Sequence, residues 1–254
     1  MGSALFSPFP RSNPQCSDFL GNRASISEKR RQWEEELEHD REFLLDGIRH
    51  GFRILERENV IQPVTQPNHG SALQQKSQVE NELIDQMTKG DYIIADRPPT
   101  IVSALAAIPK DNGTVRLVHD GSRPVGKAMN DYSLPGMVKF QTLQDAYRLA
   151  KPSYCCAKID LQSAQPSVPI HPEDYKATCI HWVFEGDSEP QFLFDSRLPF
   201  GSNKRPAHFH RFSQAIRRCM VRKGFNGIVA YIDDFFIATP SYEECKHRML
   251  VLIQ

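Results

Sequence analysis

Hydrophobic residues recur at helical spacing from Ser27 to Arg57, with Trp33, Leu37, Leu44, Leu45 and Ile48 on one stripe behind a capping Ser27. Gly47 and Gly51 weaken the second half of that pattern. A Pro/Gln/Asn/Gly-rich stretch, Gln62 to Gly70, breaks it, and Ser71 to Lys89 predicts a second amphipathic helix ended by Gly90. The period then falls towards two. Ile101 to Pro109 and Val115 to Val118 are extended runs joined by Lys110-Asp111-Asn112-Gly113, and Asn-Gly is a strong hairpin signal. Gln141 to Ala150 predicts a short helix; Tyr154–Leu161, Lys176–Phe184 and Gln191–Leu198 predict strands. Asn203 to Lys223 predicts a long helix with Phe209, Phe212, Ile216 and Met220 on its buried face. Gly227–Tyr231 and Phe235–Ala238 predict a hairpin pivoting on Asp233-Asp234, and Ser241 caps a last helix. Strand, two strands, long helix, hairpin and helix make the order of a split βαβ, ferredoxin-like layer in an α+β fold with helices on one face.

Composition narrows the class. The 254 residues carry 31 Lys+Arg against 31 Asp+Glu, and 40% are hydrophobic, ordinary globular usage. Zero net charge neither requires nor excludes a nucleic-acid partner, because a basic groove can be offset by an acidic face. No apolar run approaches the ~20 residues of a membrane span. Residues 1–26 carry Pro8, Pro10 and Pro14 without periodicity and read as a disordered arm, with neither a secretory signal nor the residue pattern for myristoylation. The cysteines at 16, 155, 156, 179, 219 and 245 form no C-x-x-C pair and read as reduced thiols of an intracellular, cytoplasmic or nuclear protein.

Two strings carry the chemistry. In Ala230-Tyr231-Ile232-Asp233-Asp234-Phe235-Phe236, adjacent carboxylates stand between apolar runs; Asp-Asp also suits a plain hairpin turn. In Ala157-Lys158-Ile159-Asp160-Leu161, an apolar strand ends in a carboxylate, which costs desolvation unless the charge meets a cation. Neighbouring strand ends would bring Asp160 and Asp233 to one edge, where carboxylates suit Mg²⁺ and the two-metal chemistry of phosphoryl transfer. Elsewhere the signals are thin. His208 and His210 are two apart on a helix and make no zinc pair, and Cys179 with His181 lacks a second pair. Lys204-Arg205, Arg211, Arg217-Arg218 and Arg222-Lys223 suit either a template groove or a solvated helix side.

These strings resemble motifs A and C of reverse transcriptases. Lys158 to Ala164 followed by Val168 to Tyr175 is similar to the polymerases of retrotransposons, especially the tyrosine-recombinase (DIRS-like) group. Leu198-Pro199-Phe200-Gly201, with Pro206 and Phe209, resembles motif B, and Lys110 to Arg123 resembles the fingers hairpin. Together they cover roughly Leu73 to Ile253. The resemblance implies a right-hand polymerase: an N-terminal helix and linker over 27–70, fingers over 71–150, and a palm over 151–254 with a ferredoxin-like split βαβ sheet. It implies RNA-directed DNA polymerisation by two Mg²⁺ ions (Mn²⁺ as a substitute), with a primed RNA or DNA template and a deoxynucleoside triphosphate as partners and no membrane. Asp160, Asp233 and Asp234 are the expected catalytic metal ligands. Lys110 and Arg116 are expected on the triphosphate, with Gln165, Phe200 and Gly201 around the nucleotide.

Two departures stand out. The family's aromatic sugar gate, five residues after the motif A aspartate, is Gln165 here, followed by Pro166. The chain stops at Gln254, one predicted helix after the motif C hairpin, so the resemblance reads it as truncated and thumbless. That keeps a different class open: a catalytically inert retroelement remnant that at most binds nucleic acid or a partner. A two-metal nuclease is disfavoured, because it has no use for Lys110 and Arg116.

Overall fold

The computed structural model describes residues 41–56, 60–134, 136, 138–161 and 168–253. The basic run Lys29-Arg30-Arg31, the N-terminal arm, and Gln165 with Pro166 lie outside the described residues.

The first described helix, α1 (Arg41–His50), ends well before Arg57. Gly51 takes φ +86, and a Cβ there would meet the Ile170 carbonyl at 2.3 Å, so glycine both breaks the helix and lets two backbones touch. The chain continues extended through Phe52, which bridges Ile170. Fully buried Asp174 fixes this segment, accepting from the Ile54 and Leu55 amides at 2.8 and 3.2 Å and pairing with Arg53 at 2.9 Å. The short strand β1 (Val64–Thr65) follows. The second predicted helix is two, α2 (Gly70–Gln74) and α3 (Lys76–Thr88), broken at Gln75. After Gly90 come β2 (Tyr92–Ile94) and β3 (Ile101–Val102), then β4 (Leu105–Pro109) and β5 (Val115–His119), which pair through the expected Asn-Gly loop. Helix α4 spans Leu143–Leu149.

The strand β6 (Cys155–Asp160) opens the C-terminal part, followed by β7 (Cys179–Trp182), β8 (Gln191–Asp195), the long α5 (Arg205–Arg222), β9 (Ile228–Tyr231), β10 (Asp234–Thr239) and α6 (Tyr242–Ile253). Ser241 accepts from the Glu244 amide at 3.3 Å, the expected cap.

The sheets correct the expected topology. Strands β7 and β8 do not lie beside β6. They join a five-stranded mixed sheet of order β1-β3-β7-β8-β2, while β6-β10-β9 form a separate three-stranded antiparallel sheet. The reason is in the burial: Ile180, Trp182 and Leu193 of β7 and β8 pack with Val79 and Leu83 of α3 and with Leu105 and Val115 of the β4–β5 hairpin. Their apolar faces belong to the N-terminal core. The three-stranded sheet buries Ile228, Ala230, Phe235 and Ile237 with Met220 of α5 and Cys245 of α6. A third cluster joins Leu44 and Phe52 to Phe209, Phe212 and Ala215 of α5, tying the two sheets together. Among the described residues, no helix is long and apolar enough to cross a membrane.

Candidate active site

Strand β6 ends in the sequence Lys158-Ile159-Asp160, and alternation sends Ile159 into the core and Lys158 and Asp160 to the other face. Strand β10 runs antiparallel beside it, with Asp234 opposite Asp160 and Phe236 opposite Lys158. Opposed residues share a face, so Asp160, Asp234 and Lys158 stand on the side of the sheet away from α5 and α6. The Lys158 ammonium lies 3.0 Å from Asp234 Oδ1. Its pKa is raised by the Asp234 hydrogen bond and charge first, then by Asp160 and Asp233, so one cation feels all three acids.

The hairpin turn differs by one residue from the expected pivot. Tyr231 pairs with Asp234, leaving Ile232 and Asp233 as the central residues. Ile232 has φ +51, a conformation hairpins normally give to glycine and one that costs a β-branched residue on the order of 1–3 kcal/mol. Tertiary contacts hold it. The hydroxyl of fully buried Ser213, on α5, donates to the Ile232 carbonyl, and the Leu161 amide donates to the Asp233 carbonyl at 3.0 Å. The outer edge of β9 is closed by side chains: Gln214 and Arg217 donate to the Ala230 and Ile228 carbonyls at 3.2 and 3.0 Å, and Gln141 accepts from the Ala230 amide at 2.9 Å.

The arrangement brings Asp160, Asp233 and Asp234 to one end of one ladder. Among the described residues, no three His, Cys, Asp or Glu side chains gather closely enough to form a metal cage. The donor set is nonetheless all carboxylate oxygen, the kind hard divalent cations take, and the Lys158 ammonium shows that the local field attracts a cation.

The remaining expected residues fall on a second feature. Exposed Lys110 sits at the β4–β5 hairpin tip. Its amide donates to the Thr114 carbonyl at 2.8 Å. Exposed Arg116, on β5, lies 5.0 Å from the centroid of the Phe200 ring. Gly201 takes φ +112, and a Cβ there would stand 2.0 Å from the His119 carbonyl. The His119 amide in turn donates to the Phe200 carbonyl at 2.8 Å, so the motif B loop is sewn to the end of β5. Buried Tyr92, His119 and Asp195 form a polar knot behind that seam, with Tyr92 Oη 2.7 Å and Asp195 Oδ2 3.4 Å from His119 Nε2. Burial pushes the Tyr92 hydroxyl pKa well up, so it remains protonated and available as a donor.

The α5 residues separate on inspection. His208 and His210 are buried, each facing a backbone carbonyl (Arg53 and Lys139, at 3.1 and 3.3 Å), and burial lowers both pKa values, that of His208 to about 4. The basic residues do not form one groove face: Lys204 pairs with Glu56 at 2.7 Å, Arg211 lies over Phe43, Arg217 caps β9, and Arg205 is buried. Sequence reasoning missed Ser213, Gln141 and Gln214 as supports of the turn. It read Arg205 as part of a basic groove or a solvated helix side, whereas 205, 209 and 212 lie on the buried face of α5, and an arginine occupies the first of these positions.

A family model described as Reverse transcriptase (RNA-dependent DNA polymerase) matches residues 108–254, from the hairpin carrying Lys110 through the carboxylate turn. This chain belongs to the reverse transcriptase family. The fold agrees: a crystal structure of the prototype foamy virus protease–reverse transcriptase matches with a TM-score of 0.61 at 18% identity, over 80% of this chain and 25% of that one. Two foamy viral protease–reverse transcriptase structures in complex with double-stranded DNA match with a TM-score of 0.59 at 18% identity, covering 98% and 99% of this chain and 42% and 50% of theirs. The chain thus spans a quarter to a half of the length of these structures. No curated protein matches the sequence significantly.

Proposed function

We propose that this reverse transcriptase chain carries the fingers and palm of an RNA-directed DNA polymerase from a retroelement of the DIRS-like group. In this reading the fingers comprise 71–150 together with β7 and β8, and the rest of 151–254 is palm. The observation that carries the proposal is the ladder pairing of Asp160 with Asp234, with Asp233 in the adjoining turn. Family membership supplies the expectation of a divalent metal, and the all-oxygen donor set supports Mg²⁺. Two such ions held by Asp160, Asp233 and Asp234 would stabilise charge on the attacking and leaving oxygens.

The reaction forms a bond between a primer 3′ oxygen and the α-phosphorus of a deoxynucleoside triphosphate and breaks the bond to pyrophosphate. The chain's own part is mostly positioning. Lys110 and Arg116 orient the triphosphate, Phe200 and Gly201 bound the nucleotide, and Gln165 is proposed at the sugar. The amide of Gln165 lacks the flat apolar face of an aromatic gate, which predicts weak rejection of a 2′-OH. Primer and template, as RNA or DNA, would lie across the open face of the three-stranded sheet, and the double-stranded DNA named for the foamy viral structures supports that partner class.

The test is single-nucleotide addition to a labelled primer on an RNA template, with Mg²⁺ and with Mn²⁺. Metal-dependent addition that disappears in Asp233→Asn supports the reading. Addition by neither protein favours the inert remnant, and equal addition by the wild type and Asp233→Asn removes Asp233 from the catalytic site.

A further inference from the structure

We propose that Arg205 is the second guanidinium of a phosphate-binding pair built around Phe200. This deepens the polymerase reading and rests on it for the identity of the ligand. Arg205 is the first residue of α5 and is only 5% exposed, yet its guanidinium lies 3.0 Å from the centroid of the Phe200 ring, the same ring that Arg116 approaches at 5.0 Å. Its Nε, Nη1 and Nη2 are all buried and, among the described residues, none has a hydrogen-bond partner.

Buried guanidinium groups are normally paired, because their donors are costly to strip of water. The acid in this neighbourhood does not pair with it. Asp195 spends Oδ1 on the Arg197 amide at 2.8 Å and turns Oδ2 to His119. Burial lowers the Arg205 pKa to about 9, with the Arg116 charge adding to the effect and Asp195 and Asp233 opposing it. Arg205 therefore lies within the electrostatic reach of both Arg116 and the carboxylate turn. Two like charges on one ring, one of them with three unfilled donor nitrogens, need an anion. The planar fork of arginine matches two oxygens of a phosphate, whereas the ring itself offers only its face. A phosphate oxyanion here has two sources: the triphosphate of an incoming nucleotide, which we assign, or the backbone of a nucleic-acid strand.

The two roles of a buried arginine, packing and ligand binding, predict opposite stability effects. Removing an unpaired buried charge while keeping the volume leaves the fold as stable or more so. We therefore expect Arg205→Met to melt at or above the wild-type temperature and to bind a deoxynucleoside triphosphate and inorganic triphosphate about 10-fold more weakly, which is about 1.4 kcal/mol. Arg205→Lys, keeping the charge without the fork, falls between the two. Isothermal titration of the 254-residue chain with these two probes, with a nucleoside monophosphate and with a single-stranded oligonucleotide reads the affinities, and thermal melting reads the fold. Loss for both triphosphates that exceeds the loss for the oligonucleotide supports the assignment. Loss confined to the oligonucleotide overturns it in favour of a strand phosphate. Arg205→Met that melts lower or fails to fold, triphosphate affinity that does not change on substitution, or a wild type that binds no triphosphate likewise overturns it. Because these are binding measurements, absent primer extension with this binding intact sinks the polymerase reading alone. Extension with unaltered triphosphate binding in Arg205→Met sinks the Arg205 assignment alone.

Discussion

The molecule contains two tight hairpins that solve the same geometric problem in opposite ways. Between β4 and β5 the left-handed position is Gly113, at φ +80, with nothing within 4 Å of where a Cβ would be. The Asn112 side chain accepts from the Thr114 amide and hydroxyl at 3.2 and 2.7 Å, so the loop satisfies itself. Between β9 and β10 the corresponding strain falls on Ile232, a residue with none of glycine's freedom at that φ. Ser213 on α5 and Leu161 beyond β6 hold that turn from outside. The self-sufficient turn leaves Lys110 exposed at its tip and Arg116 exposed on the strand that follows. A turn enforced by a helix and a neighbouring strand holds Asp233 and Asp234 beside Asp160, and the proposed phosphoryl transfer would be sensitive to small displacements there.

Experiments on these turns and the seam between them should separate local from enforced geometry. The largest effect is expected at the seam itself. Gly201→Ala adds a Cβ 2.0 Å from the His119 carbonyl at a φ of +112, and neither backbone can yield without moving β5 or α5. A loss of more than about 3 kcal/mol in chemical denaturation is expected, because strain at a special φ and a backbone clash coincide. A loss below about 1 kcal/mol would show that the motif B loop is not pinned to β5.

The next effect concerns the helix that enforces the second turn. His208 on α5 has a folded pKa of about 4 against an ordinary 6.5, chiefly through burial, with Lys204 and Arg211 adding to it. The unfolded chain therefore binds the proton first. The stability from neutral His208 is complete above about pH 6.5 and is lost as pH falls towards 4, by about 3 kcal/mol in all. His208→Gln should flatten the stability profile between those pH values. An unchanged slope would remove His208 from the account.

Ser213→Ala tests enforcement directly. It removes the hydroxyl that the Ile232 carbonyl accepts from, at a position 0% exposed, and should cost about 1–3 kcal/mol. Primer extension, if the proposed function holds, should fall more than that stability loss explains at a temperature where the variant is fully folded. Stability loss with full activity per folded molecule would mean the turn positions itself.

The smallest effect is expected at the self-sufficient turn. Gly113→Ala meets no neighbour and bears only the left-handed backbone penalty, about 1–2 kcal/mol, while Gly113→Asn should be close to neutral because asparagine tolerates that region. Denaturation of both variants checks this, and a larger loss for Gly113→Asn than for Gly113→Ala would refute the local account.

Much of this was legible in the chain. The Asn-Gly turn, the apolar stripe along α5 and the cap at Ser241 are short-range effects, carried by residues a few positions apart, and the structure follows them, although the run expected over Ile101–Pro109 is split between two sheets after Val102. The motif strings set Asp160 and Asp233 at neighbouring strand ends, and in the ladder it is Asp234 that pairs with Asp160, with Asp233 one residue away in the turn. What the sequence could not decide was partnership over distance. Strands β7 and β8 carry the alternation of any half-buried strand, and only the competition between two apolar cores assigned them to β2 and β3 instead of β6. The helix expected through Arg57 yields after His50 because Ile170, more than a hundred residues on, needs the space against Gly51. Likewise the hairpin is expected to pivot on Asp233-Asp234, and the left-handed position falls on Ile232, whose carbonyl the buried Ser213 hydroxyl meets. Local propensities are worth tenths of a kcal/mol to about one per residue. Burial and unsatisfied polar groups are worth several, so where the two conflicted the tertiary contacts decided.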